Sequence, residues 1–344
     1  MELGIMSFAD MQPEVMPGRG TSGKQRLQDL LEEIRLADEL GLDVFGIGEH
    51  HRQDYAVSAP AVVLAAAAVI TKNIKLTSAV TVLSSDDPVR VYQDFATVDL
   101  ISGGRAELMA GRGSFIESFP LFGYDLDDYD ALFSEKLDLL LQLNRQEPLN
   151  WNGRFRASIQ GLKAYPQPYQ SQLPVWIAVG GTPASAVRAA KLGLPLMLAI
   201  IGGMPKQFAG FINLYKQTAI ESGTKKEDLR FGVNNHMFIA EDSQKAMDDF
   251  FPYYAAQMGK IGKERGWGPL TRQQYEFACS PEGALMVGSP QQVIDKILYQ
   301  HEIFGNTRFL AQDSVGYVPH AMVMESVRLF GEKVAPAVRK AINN

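Results

Sequence analysis

The strongest constraint on the fold of this chain is a repeated pattern: a short apolar segment, a turn, and then an amphipathic helix. The apolar segments have the length and composition of buried strands. Seven of the eight predicted strands are Leu3–Phe8, Ile74–Leu83, Ala106–Ala110, Val175–Val179, Pro195–Ile200, Gly232–Ala240 and Arg308–Gln312, and the second strand of the chain begins at Val44. Eight such units in 344 residues favour a closed (β/α)8 TIM barrel over an open sheet.

Two longer segments interrupt the alternation and predict insertions after strands four and seven. Residues 144–173 are rich in proline and aromatic residues and predict an irregular excursion, and residues 259–288 predict a long loop. The helix predicted over Ala59–Ile70 is apolar nearly all round, so we expect it to be buried. Because no linker rich in Pro, Gly or Ser divides the chain, we expect a single domain over residues 1–344.

Composition and charge exclude several classes of protein. The 46% apolar and 21% charged residues are those of an ordinary globular protein, and no apolar run reaches the length of a membrane span. A net charge of −6 provides no electrostatic surface for nucleic acid or anionic lipid. The single cysteine, Cys279, excludes an internal disulfide framework and predicts a cytoplasmic location.

An ionisable cluster, Glu49-His50-His51, follows the second predicted strand. Because successive side chains of a strand point to opposite faces, Glu49 and His51 should share one direction and His50 the other. Polar residues at the carboxyl end of a parallel strand are typical of the active sites of α/β proteins. The local sequence is equally compatible with histidines that satisfy hydrogen bonds of the core. The spacing is not that of a helical metal-binding pair, and the other histidines are scattered, so no metal site is predicted.

Glycine-rich turns follow three other predicted strands and could bind a phosphate. Gly111-Arg112-Gly113-Ser114 places a guanidinium between residues that let backbone N–H groups approach an anion. Gly180-Gly181-Thr182 leads into a helix N-terminus, and Gly202-Gly203 repeats that arrangement one unit later. Each turn alone could be an ordinary helix cap. Arg105 lies at the opposite end of its strand, where we expect a structural ion pair. No dinucleotide fingerprint, Walker loop or nucleophile elbow is present.

Taken together, these motifs resemble the bacterial luciferase-like flavin monooxygenases over essentially the whole chain. The shared motifs are Glu49-His50-His51, Asp87-Pro88-Val89-Arg90, Ser102-Gly103-Gly104-Arg105, Gly111-Arg112-Gly113, Val179-Gly180-Gly181-Thr182 and Gly288-Ser289-Pro290. The resemblance implies a (β/α)8 barrel and an oxidoreductase that binds FMN reduced by a separate flavin reductase, or F420 in some branches. It also implies O2 and a small organic molecule as substrates, and a homodimer.

The resemblance assigns roles to particular residues. His50 matches the acid/base histidine of the active site, whose ordinary pKa lies near physiological pH. Arg112 matches the arginine that holds the flavin phosphate, with Gly180, Gly181 and Thr182 completing the phosphate site. Ala79-Val80 matches a pair joined by a cis peptide beneath the isoalloxazine ring. Further residues expected at the cofactor are Ser78, Met109, Gly111, Gly113, Ser114, Ile201, Gly202 and Gly203.

The chain also departs from the family pattern. Gly180-Gly181 stands where luciferase has an acidic residue and a serine, so phosphate contacts there should come from the backbone. Met109 or Ala110 stands where luciferase has a cysteine, so light emission is not predicted. The loop over residues 259–288 takes the place of the mobile lid that excludes water. The substrate itself is not identified by the sequence, and its pocket is expected to include Met11, Met16, Tyr55, Phe115, Phe119, Trp267 and Tyr275.

Two other functions remain open from the sequence. An F420-dependent oxidoreductase would transfer hydride without O2, but its longer anionic tail would require more cations than Arg112, and only Lys206 is found near these loops. A flavin-binding protein without turnover would not need an acid/base at His50. The sequence therefore favours FMN and catalysis.

Overall fold

A computed structural model describes residues 1–11, 22–113 and 115–343. The strands of this part of the chain are β1 (Glu2–Ser7), β2 (Val44–Ile47), β3 (Lys75–Ser78), β4 (Thr81–Val82), β5 (Ala106–Gly111), β6 (Leu149–Trp151), β7 (Ile159–Leu162), β8 (Val175–Val179), β9 (Leu196–Ala199), β10 (Phe231–Ile239), β11 (Met286–Gly288) and β12 (Arg308–Ser314). The α-helices are α1 (Gly23–Glu39), α2 (Pro60–Ile70), α3 (Pro88–Ser102), α4 (Ser118–Leu121), α5 (Tyr129–Leu143), α6 (Pro183–Lys191), α7 (Ala209–Glu221), α8 (Ser243–Glu264), α9 (Arg272–Cys279), α10 (Pro290–Phe304), α11 (His320–Leu329) and α12 (Ala335–Asn343).

Eight of the strands close into a parallel barrel, which confirms the predicted fold. Their order around the ring is β1, β2, β3, β5, β8, β9, β10 and β12, and β12 pairs with β1 to complete it. Gly4 pairs with Val44 on one side and with Leu310 on the other. A Cβ atom at Gly4 would lie 2.2 Å from the carbonyl oxygen of Val44, so only glycine allows this close approach.

The interior of the barrel is filled in layers, as closure of eight strands requires. At the amino-terminal end, Arg308 donates two hydrogen bonds to Glu107, of 2.6 and 3.0 Å, and stacks over Trp176 at 4.1 Å. Above this pair lies an apolar layer that includes Met6, Val44, Ala79, Met109, Met197 and Leu310. The open space of the barrel therefore lies at its carboxyl-terminal end.

The prediction of one continuous strand over Ile74–Leu83 was wrong. The structure has two short strands, β3 and β4, separated by the cis peptide bond Ala79–Val80 that the family resemblance implied. The chain changes partner at this point, because β3 pairs with β2 and β5 whereas β4 pairs with β5 alone. The break places Ala79 and Val80 at the mouth of the barrel.

Neither insertion is as irregular as the sequence suggested. The first contains the antiparallel hairpin β6–β7. In place of the predicted loop over residues 259–288, the structure has the last turns of α8, the helix α9 and the strand β11. Thr271 and Gln274 cap α9 reciprocally, and β11 adds to the edge of β10, so local hydrogen bonds order this segment.

Two further expectations were also wrong. Helix α2 is only half buried, because Val62 and Val69 are 70% and 73% exposed on its outer face. Arg105 forms no ion pair with the described residues. Its guanidinium instead donates hydrogen bonds to the backbone carbonyls of Ala68 and Thr71 at the end of α2, at 2.9 and 3.2 Å, and to that of Ile74 before β3, at 2.8 Å. The last carbonyls of a helix lack helical partners, which explains why an arginine binds there. No helix within the described ranges is long and apolar enough to cross a membrane.

We predict that Glu107→Gln destabilises the protein by roughly 3–5 kcal/mol, because it leaves the buried guanidinium of Arg308 without its main counter-charge. Glu241→Gln is the matched control, since it removes the same charge from an exposed ion pair with Lys333 and should cost about 1 kcal/mol or less. Urea unfolding measures both free energies. Equal costs for the two variants would contradict the role of the buried pair.

Candidate active site

A cavity of about 520 Å³ opens at the carboxyl ends of the barrel strands. Its lining residues come from every strand of the barrel or from the loop that follows it. They include Phe8, Asp10, Glu49, His50, Tyr55, Ala79, Val80, Met109, Arg112, Phe115, Gly180, Thr182, Asn234, His236 and Gln312. This is the end of a TIM barrel at which active sites form.

His50 lies in this cavity inside a box of aromatic rings. Its imidazole stacks on Tyr55 at 4.2 Å and meets the edges or faces of Phe8 and Phe115 at 4.5 and 5.2 Å. Its Nε2 is buried and has no hydrogen-bond partner within the described ranges. A buried polar atom without a partner is costly in a folded protein, and such atoms concentrate at functional sites. The ring is therefore positioned by packing, and its Nε2 is left for a ligand.

The aromatic surroundings decide the charge of His50. Burial, together with the nearby charges of Arg52 and His51, lowers the pKa of His50 to about 3. The imidazole is therefore neutral across the physiological range in the protein without ligand. A neutral imidazole can accept a proton at one ring nitrogen while its other nitrogen donates one. His50 is accordingly unprotonated at neutral pH, and its free ring nitrogen can accept a hydrogen bond from a ligand.

The side chains of Glu49 and His51 contact each other, as the alternation of side chains predicted, although Glu49 also lines the cavity. The His51 Nε2 and the Glu49 Oε1 are 2.9 Å apart, and the backbone N–H of Val82 donates to the Glu49 Oε2 at 2.9 Å. Glu49 thereby joins the end of β2 to the segment that follows the cis peptide. This carboxylate fixes the position of Ala79 and Val80 relative to His50.

A cationic and glycine-rich corner lies at the other end of the cavity. The Arg112 guanidinium forms an ion pair with Asp130, stands 5.1 Å above the Tyr129 ring, and reaches the Ser185 hydroxyl at 3.4 Å. Thr182 precedes α6, but its side chain makes no capping hydrogen bond and remains available. A Cβ atom on Gly180 would meet nothing within 4 Å, so this glycine leaves the backbone open to a ligand. Together these groups could hold a phosphate.

The structure brings most of the predicted cofactor residues to this cavity. Those that line it are Ala79, Val80, Met109, Gly111, Arg112, Gly113, Gly180, Thr182 and Ile201. Ser78 is fully buried behind the wall, where its hydroxyl bonds the backbone of Met109. Gly181, Gly202 and Gly203 form turns outside the lining, and Gly181 and Gly203 have positive φ angles of 105° and 73°. Ser114 lies outside the described residues.

The chain belongs to the luciferase-like monooxygenase family. The family matches residues 1–307. The monooxygenase RslO1 from Streptomyces bottropensis has 25% sequence identity and a TM-score of 0.84, over 98% of this chain and 99% of that one. The oxygenating constituent of 3,6-diketocamphane monooxygenase from Pseudomonas putida, solved in complex with FMN, has 21% identity and a TM-score of 0.78 over 98% of both chains. An F420-dependent glucose-6-phosphate dehydrogenase from Amycolatopsis mediterranei is 27% identical over 267 residues, covering 74% of this chain and 75% of that protein. As a member of this family, the protein is a flavin-dependent oxidoreductase.

The prediction of an aromatic substrate pocket is partly correct. Tyr55, Phe115 and Trp267 line the cavity. Phe119 and Tyr275 do not. They are fully buried in the protein, where Phe119 stacks on Tyr129 and Tyr275 packs against Phe251 and Tyr254. Met11 lines a smaller neighbouring cleft, and Met16 lies outside the described residues.

Sequence reasoning missed a second polar wall of the cavity. Asp10 follows β1, Asn234 and His236 lie on β10, and Gln312 lies on β12 beside His236. The signal was the run Asn234-Asn235-His236 inside a strand that is buried along its whole length. Burial lowers the pKa of His236 to about 4, and its Nδ1 has no partner within the described part of the chain. These residues do not form a metal site with others in the described ranges.

Ion pairs connect the mouth of the cavity to the end of α8. Arg52 pairs with Glu264 at 2.8 Å and with Glu117 at 3.2 Å, and its guanidinium lies 4.6 Å above the Phe115 ring. Arg52 thereby holds together the segments that follow β2, β5 and β10. The segment predicted to be a lid is thus attached to the barrel by an arginine of the His50 loop.

We predict that His50 stays neutral in the flavin-free protein down to about pH 4, whereas His320 is protonated at higher pH. The pKa of His320 is raised by its hydrogen bonds to Glu33 and Glu32, and that of His50 is lowered to about 3. Spectra of 15N-histidine-labelled protein over a pH series report both rings, and His50→Gln assigns the signal. A His50 signal that titrates near pH 6.5 would contradict the burial argument.

Proposed function

We propose that this protein is an FMN-dependent monooxygenase that uses reduced FMN and O2 to oxidise a small, largely apolar organic molecule. The proposal rests on the groups that line one cavity. The neutral imidazole of His50 lies there in a box of aromatic rings, and Arg112 and the glycine turn at Gly180 line the same cavity. The imidazole suits the transfer of a proton, and the arginine with the glycine turn suits the binding of a phosphate.

The residues of the cavity fit a flavin mononucleotide. Arg112, Gly180 and Thr182 would hold its phosphate, and Ala79, Val80 and Met109 would form a wall against its ring. When bound in its reduced form, FMN supplies the electrons with which O2 is activated. His50 would hold or accept a proton at its unpartnered Nε2. The rings of Phe8, Tyr55 and Phe115 would keep water away from that proton.

A hydride-transferring F420 enzyme is the second candidate. A second cation near Arg112, which the sequence did not reveal, favours this candidate. Burial lowers the pKa of Arg188 on α6, and repulsion from the nearby guanidinium of Arg112 lowers it further. Its guanidinium lies 5.4 Å above the Phe133 ring, and Arg188 does not line the cavity. Two arginines at this corner suffice for one phosphate group, so FMN remains the proposed cofactor.

A homodimer is proposed on the basis of an exposed apolar surface. Val62 and Val69 on α2 are exposed, and so are Leu100 and Ile101 on α3, which packs against α2. Exposed apolar side chains on neighbouring helices are typical of protein–protein contacts. Two copies of the chain could bury these helices against each other, which sedimentation equilibrium would detect. We also propose a cytoplasmic location and a separate flavin reductase that supplies the reduced FMN.

We predict that Arg112→Ala weakens FMN binding by roughly 10- to 100-fold, because a charge-assisted hydrogen bond to phosphate contributes about 1.5–3 kcal/mol. Arg154→Ala is the matched control. Arg154 is also an arginine paired with an aspartate, Asp128, but it is more exposed than Arg112 and does not line the cavity. Fluorescence titration with FMN measures both variants, and a parallel titration with F420 compares the two cofactors. Unchanged FMN affinity in Arg112→Ala, or a clear preference for F420, would contradict the proposal.

A further inference from the structure

Asp10 is a buried carboxylic acid that lines the cavity and is not fully satisfied by the protein. The residue is 4% exposed and lies in the loop that follows β1. The backbone N–H of Gly316 donates a 2.9 Å hydrogen bond to its Oδ1. Its Oδ2 is buried and accepts no hydrogen bond within residues 1–11, 22–113 and 115–343. One carboxyl oxygen is therefore anchored, and the other is left for a ligand.

The backbone of this loop is held firmly, so Asp10 cannot easily turn away from the cavity. Arg26 on α1 donates from Nε to the carbonyl oxygen of Asp10 at 3.1 Å. The backbone of Met11 donates to the carbonyl oxygen of Asp54 at 2.8 Å, and Asp10 forms a bridge with Tyr55. These contacts fix the position of Asp10 relative to Tyr55, which stacks on His50.

The nearby arginine does not neutralise Asp10. Both terminal nitrogens of Arg26 bond the carboxylate of Glu33, at 2.9 and 3.1 Å, and leave only its Nε for the Asp10 backbone. Asp313 on β12 is fully buried in the same region, and its carboxyl also acts on Arg26 and Asp10. Asp10 therefore shares Arg26 with Glu33, and the carboxyl groups of Asp54 and Asp313 also act on it. This excess of carboxyl groups favours a ligand group that donates hydrogen or carries positive charge.

We propose that Asp10 determines substrate specificity by accepting a hydrogen bond from a hydroxyl or amino group carried on an otherwise apolar substrate. This inference rests on the proposed function, since it concerns the substrate of the same cavity. The apolar body of the substrate would lie against Phe8, Tyr55 and Phe115, and its polar group would reach Asp10. A site with a buried, unpaired acceptor discriminates strongly against analogues that lack the donor.

Protonation of Asp10 gives the proposal a second signature. Burial raises the pKa of the Asp10 carboxyl to about 7, with Asp54 acting in the same direction and Gly316 and Arg26 opposing it. The other charged groups of this region are Glu33 on α1, Asp313 on β12, and Lys260 on α8, which pairs with Asp54. A protonated amine should therefore bind more tightly as the pH rises through 7 and Asp10 ionises, whereas a neutral alcohol should depend less on pH.

The test compares wild-type protein with Asp10→Asn, which keeps the acceptor for Gly316 but replaces the free oxygen with an N–H donor. The probes are toluene, benzyl alcohol and benzylamine, measured by calorimetry at pH 8 with and without oxidised FMN. We expect wild type to bind benzylamine and benzyl alcohol at least about 10-fold more tightly than it binds toluene. Asp10→Asn should lose at least about 10-fold in benzylamine affinity and keep its toluene affinity.

Asp86→Asn is the matched control. Asp86 is a half-buried carboxyl at this end of the barrel, with a pKa raised by burial to about 6, but it does not line the cavity. It should keep the wild-type order of the probes. Equal affinities of wild type for the three probes, no binding of any probe, or equal losses in Asp10→Asn for toluene and benzylamine would each overturn the proposal. Failure of FMN to bind would instead contradict the proposed function, because the probe series without FMN tests Asp10 independently.

Discussion

Closure of eight parallel strands into a ring is the constraint on which the rest of this structure depends. A closed ring has no edges, but it creates an interior that side chains must fill. Here the amino-terminal end is filled by the Arg308–Glu107 pair and the middle by an apolar layer. The carboxyl-terminal end is left open. Every loop that follows a barrel strand begins at this opening, so residues far apart in sequence, such as Asp10 and Gln312, line one cavity.

Burial acts in opposite directions on two ionisable groups of this cavity, His50 and Asp10, and leaves both able to be neutral near pH 7. It lowers the pKa of His50 to about 3 and raises that of Asp10 to about 7. Both effects have the same cause, since a low-dielectric environment disfavours the charged form of any group. Both side chains also keep an unpartnered atom within the described ranges. The cavity therefore presents a neutral base and a carboxyl group that an appropriate ligand could ionise.

The sequence predicted the barrel because each strand and helix leaves a local pattern that does not depend on the others. It also predicted His50, Arg112 and Gly180 in the cavity, since these residues stand directly after strands. The pattern of the residues did not predict that β3 and β4 are separate, because the run from Ile74 to Leu83 contains no glycine or proline that would mark a break. Nor could it predict Asp10 or His236 as lining residues. Their role depends on which loops and strands lie side by side around the ring, and no local pattern records that arrangement. Helix α2 was expected to be buried because it is apolar nearly all round, and a local sequence pattern does not record which faces of a helix other elements cover.

In the proposed function, the cavity inserts oxygen into an organic molecule with the participation of His50. Incubating the protein with chemically reduced FMN, 18O2 and a panel of small aldehydes, ketones and thioethers, followed by mass spectrometry of the products, tests this claim directly. We expect a product that carries an 18O atom from O2, formed by wild type and lost in His50→Asn although that variant still binds FMN. Oxidised product without the isotope, or the same labelled yield from His50→Asn, would contradict it.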